Sequence, residues 1–96
     1  MDFNDFLNSL KLDSPPPSMP DLIKSLWYDK KGFWNKAHNL ADGMPGSNAA
    51  WVHAYLHRKE GDDWNANYWY RRAGKTNPNS NLEEEWTHIV KTLLPN

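Results

Sequence analysis

The chain of 96 residues carries six Trp, four Tyr and three Phe, no Cys, and a net charge of −1. A single domain of this length holds only several kcal/mol of stability, about 0.05–0.15 kcal/mol per residue, and its apolar content of 39% rests on large side chains that each bury much area. Near-neutral charge without a basic block excludes an electrostatic draw to nucleic acid or an anionic membrane, and the lack of Cys excludes disulfides and thiol chemistry. The acidic start MDFNDFLNSL has no basic region ahead of an apolar run, and no apolar stretch approaches the ~20 residues of a membrane span. The cytoplasm is therefore the expected compartment.

Residues 1–13 form the first unit: Phe3, Phe6, Leu7 and Leu10 at i, i+3, i+4, i+7 predict an amphipathic helix over Asp2–Leu12. So short a helix is marginal alone and must dock, either over an exposed face of its own chain or onto a second copy in a homodimer. Residues 14–20 include Pro15-Pro16-Pro17 and read as a stiff, extended linker. Residues 21–96 form the main body. Its first helix opens at Pro20 or Asp21 and lines Leu22, Ile23, Leu26 and Trp27 along one face. After Gly32 a shorter helix, Phe33–Ala41, is expected to bury Phe33, Trp34, Ala37, Leu40 and Ala41. Gly43-Met44-Pro45-Gly46 ends it. From Asn48 to Glu60 there is no Gly or Pro, so a helix runs uninterrupted to Gly61, where a left-handed residue without a Cβ suits its C-terminus. Asp62 or Asp63 caps the next helix, whose Ala66, Trp69, Tyr70 and Ala73 face a core, and Gly74 with Asn77-Pro78-Asn79 closes it. Ser80 and Glu83 read as a capping box for a last helix with Leu82, Trp86, Ile89, Val90 and Leu93 on its buried side. Nothing predicts a strand.

Gly61, Ala66, Tyr70, Ala73 and Pro78 sit at the spacing of the glycine, alanine, aromatic, alanine and proline of a tetratricopeptide repeat, and WYRRAG resembles the second helix of a Sel1-like repeat. Gly32 and Gly61, and Ala37 and Ala66, share one separation of 29 residues, which suggests two diverged hairpins. The expected fold is all-α: a tetratricopeptide-like α-α superhelix of about two helical hairpins, with a capping C-terminal helix and a short N-terminal one. The resemblance also extends to small proteins of no assigned activity, so it implies a fold and not a reaction.

No nucleophile elbow, phosphate loop or dinucleotide fingerprint occurs, so no constellation specifies an enzyme. By the resemblance, Trp51, Tyr55 and Arg58 lie on the inner-helix face that the repeat family uses for ligands, which points to a protein or peptide partner. Trp64, Tyr68 and Arg71 at i, i+4, i+7 extend that surface with two aromatics and a guanidinium, unless the first hairpin covers them. The sharpest chemical pattern is His53, His57 and Glu60, which fall within about 60° of one another on one helix face. Two His one turn apart with a carboxylate suit a shared metal, zinc above all, provided that His38 or His88 joins them. They also suit acid–base chemistry, or a place at the rim of the core hydrogen-bonded to backbone or aromatic hydroxyls. Apart from zinc there, no cofactor is expected.

Overall fold

In the computed structural model, which describes residues 1–95, the chain folds into α1 (Phe3–Ser9), α2 (Asp21–Lys30), α3 (Trp34–Asp42), α4 (Ser47–Glu60), α5 (Asp63–Ala73) and α6 (Leu82–Leu93). No strand occurs among the described residues. Among these residues no helix is long and apolar enough to cross a membrane either.

The helix ends follow local chemistry. Asp2 caps α1, accepting the amide of Asp5 while the Asp5 carboxylate accepts the amide of Asp2. α2 and α4 end in the same way, with a glycine in the left-handed region (Gly32 at φ 91°, Gly61 at φ 87°) followed by a residue whose amide reaches back across the last turn. These bonds run from Phe33 to the Tyr28 carbonyl at 2.9 Å and from Asp62 to the His57 carbonyl at 3.0 Å.

Four local expectations are corrected. α1 covers only seven residues and stops at Ser9. The proline segment is not extended throughout: the Met19 amide closes a turn on the Pro16 carbonyl at 3.1 Å, and the Met19 side chain is buried in the core. Phe33 lies just outside α3, 50% exposed, because it is the residue after the Gly32 corner and packs edge-on against Tyr28, the usual apolar contact of that cap. The capping box of α6 is Asn81 with Glu84, one residue later than Ser80 with Glu83.

α4 is the central helix. Every residue from Ala49 to Leu56 is buried, so the helix is enclosed all round rather than along one stripe. It packs against α3, α5, α2 and α6. Ala54 and Ala66, both fully buried, keep bulk out of the space between α4 and α5. α1 lies over its own chain: Phe6 is fully buried 5.7 Å from the Trp86 ring, and Trp27 Nε1 donates to the Ser9 carbonyl at 3.3 Å. The Lys31 ammonium holds the carbonyls of Leu10 and Leu12.

Two buried carboxylates pin α4 to its neighbours. Asp29 on α2 receives Lys59 at 2.9 Å. Glu85 on α6 receives Arg58 at 2.7 Å and the Tyr70 hydroxyl at 2.7 and 2.5 Å, while Arg58 also donates to the Ser80 carbonyl. Burial makes ionising Tyr70 unfavourable, and its hydrogen bond to Glu85 adds to that, so this phenol stays a donor at any ordinary pH.

Candidate metal centre

Three imidazoles meet where α3 crosses α4. His53 and His57 stand one turn apart on α4, and His38 reaches them from α3. Ring centroids are separated by 4.6 Å (His38–His53), 5.2 Å (His38–His57) and 4.8 Å (His53–His57). One ligating atom from each lies within 4.8 Å of the other two. Tetrahedral zinc with nitrogen at 2.0–2.1 Å needs nitrogens about 3.3 Å apart, so the rings have at most about 1.5 Å to draw in.

The surrounding side chains hold these rings in place. Trp34, one turn before His38 on α3, stacks on it at 4.9 Å and 12°, and its Nε1 donates to the Leu56 carbonyl at 2.9 Å. On the other side, Trp69 of α5 stacks on His53 at 3.9 Å and 15°. Two indoles therefore bracket the cluster. His53 is only 3% exposed and the His57 side chain 12%. Burial, followed by the nearby His38 and His57, pushes His53 down to about 4, against a smaller upward pull from Asp42. His53 is thus neutral at pH 7, the form in which imidazole binds metal.

Sequence reasoning placed Glu60 among the ligand candidates. In the structure its Oε2 lies 2.7 Å from His57 Nδ1, so the carboxylate sits behind that ring as its hydrogen-bond partner. Asp62 lies close to both but is engaged elsewhere: it caps α5, accepting the Asn65 amide at 3.2 Å and its side-chain amide at 2.6 Å, which together hold its carboxyl below the usual range. Asp42 Oδ1 lies 3.9 Å from His53 Nδ1, beyond hydrogen-bonding distance. His88 is elsewhere, edge-on to Trp51 at 5.5 Å. The signal for His38 was in the sequence. The connection between Asp42 and Ser47 folds α3 back on α4, which brings His38, four residues before the end of α3, to the level of His53, six residues after the start of α4.

The residues expected to bind a partner separate into two groups. Trp51, Tyr55 and Arg58 belong largely to the interior. Tyr55 is buried, and burial followed by the charge of Asp29 disfavours its ionisation. Arg58 is held by Glu85 and Ser80. Trp51 is buried too, though it floors a cleft of about 590 Å³ with Lys75, Ser80, Glu84 and His88, where the Lys75 ammonium lies 4.1 Å from its ring. Trp64, by contrast, is 74% exposed and stacks on Tyr68 at 6.2 Å. Arg72, rather than Arg71, completes this ladder, donating to the Tyr68 hydroxyl at 3.0 Å, while Arg71 stays exposed.

No family model, curated protein or solved structure matches the chain.

Proposed function

We propose that this protein binds one divalent transition-metal ion of the zinc class through His38, His53 and His57. The observation that carries the reading is the convergence of three imidazoles from two helices at a largely buried site, with one of them held neutral. An all-nitrogen donor set suits zinc, copper or nickel, whereas magnesium and calcium require oxygen ligands. Three protein ligands leave a fourth position for water or a small ligand.

Isothermal titration of the chelator-treated protein tests this. One equivalent of zinc is expected to bind, and magnesium none. At a free zinc concentration of 100 Kd the ion adds about 2.7 kcal/mol, a rise in melting temperature on the order of 10 °C for a chain of this length. His38→Ala is expected to lose binding while keeping the metal-free fold, because His38 is only half-buried. The proposal fails if zinc, nickel and manganese neither bind nor stabilise.

One observation favours a second reading, a site for a peptide partner on a tetratricopeptide-like scaffold. Two hairpins turning at Gly32 and Gly61 with the same cap support that scaffold, with α6 as the closing helix. The exposed Trp64–Tyr68 stack edged by Arg72 supplies the surface, suited to an apolar side chain flanked by a carboxylate. Trp64→Ala is expected to abolish peptide capture without lowering the melting temperature, and unchanged capture would remove this reading.

A further inference from the structure

We infer that Glu60 is the positioning residue of the three-histidine centre, holding a proton on His57 Nδ1 so that Nε2 is the nitrogen turned to the ion. The inference rests on the metal reading above and assigns a task that reading leaves open. An imidazole side chain left to itself favours the proton on Nε2, the wrong tautomer for a ligand whose Nδ1 is enclosed. A carboxylate oxygen 2.7 Å from Nδ1 reverses that preference, since an anion accepts this proton strongly and offers none in return.

The position of Glu60 in the fold supports this task. It is the last residue of α4, directly before the Gly61 corner. Backbone carbonyls there leave a partial negative charge, which disfavours an acidic side chain, and the rest of that turn is His57, Arg58 and Lys59. Arg58 and Lys59 are taken by Glu85 and Asp29, so the contact Glu60 makes is with His57. The alternative, an ion held on the Nδ1 side by His57, Glu60 and Asp62, would take Asp62 away from the α5 cap. Asp42 faces His53 from too far to act as more than a charge.

Two measurements on the full chain test the inference. Long-range proton–nitrogen spectra of the 15N-labelled, metal-free protein report the tautomer of each neutral imidazole. His57 is expected as the Nδ1–H form, reverting towards Nε2–H in Glu60→Ala. Competition with a chromophoric chelator gives the zinc Kd, expected to weaken about 10–100-fold in Glu60→Ala. Glu60→Gln should recover most of that loss, because its amide oxygen accepts the same hydrogen bond. A purely structural role would move neither the tautomer nor the recovery by Gln. An Nε2–H tautomer in the unaltered protein, or full zinc affinity in Glu60→Ala, overturns the inference and leaves the metal site standing. A chain that holds no zinc ends both.

Discussion

Replacing Glu85 by Ala tests whether the buried ion pair pins α6 to the centre of the protein. The carboxylate is 3% exposed and accepts from Arg58 and from Tyr70, itself 1% exposed. Without it the Tyr70 hydroxyl lacks an acceptor, at a cost of about 1–3 kcal/mol. The Arg58 guanidinium loses its anionic partner and keeps the Ser80 carbonyl, and breaking a buried pair from one side typically costs about 3–5 kcal/mol. Arg58 retains some access to water, so the lower end applies: about 3 kcal/mol, or roughly 12–24 °C in melting temperature for a domain of this size. Glu85→Gln keeps an acceptor for Tyr70 and should lose about half as much. The double variant Arg58→Met with Glu85→Leu should recover the part of the loss that comes from the uncompensated charge, while the Tyr70 hydroxyl still lacks its acceptor. Urea and thermal unfolding followed by far-ultraviolet circular dichroism measure all three. A loss under about 0.5 kcal/mol for Glu85→Ala, or a double variant no better than the single ones, would refute the reasoning.

Acidification of the chelator-treated protein should show the neutral His53. An unfolded imidazole titrates near 6.5 and the folded one near 4, so the unfolded chain takes the proton first. Stability is whole above pH 7 and falls as the pH drops from 6.5 to 4, by about 3 kcal/mol in all, and His53→Phe should flatten that slope in urea midpoints. Removal of residues 1–13 should lower the melting temperature, because Phe6 and the carbonyls that hold Trp27 and Lys31 go with them; size-exclusion should show a monomer with and without them. Gly61→Ala should cost about 1–2 kcal/mol from backbone strain alone, since a Cβ there meets no atom within 4 Å, and Gly61→Asn should cost less.

The helix inventory was legible because apolar spacing and Gly corners carry it: Gly61 ends α4, and Ala66, Tyr70 and Ala73 face inward. Finer placement failed where the sequence repeats a signal. Ser80-Asn81 before three consecutive Glu offers two overlapping capping boxes; the structure uses the second, and the Ser80 carbonyl is taken by Arg58. The proline run concealed Met19, which joins a core cluster drawn from the whole length of the chain. At the candidate centre, His53 and His57 were visible as a pair one turn apart. His38 required knowing that α3 folds back on α4, and the second role of Glu60 required a distance rather than a spacing.

Three indoles, those of Trp27, Trp34 and Trp86, each donate Nε1–H to a backbone carbonyl on another helix: Ser9, Leu56 and Leu26. Grease alone tolerates sliding, because one methyl replaces another with little loss. A directional bond to one particular carbonyl does not, so these three contacts index α1 against α2, α3 against α4 and α6 against α2 to a single residue. Phenylalanine at the same places would fill comparable room yet leave the helices free to slip by a step, and any cluster of side chains assembled across those seams would blur with them.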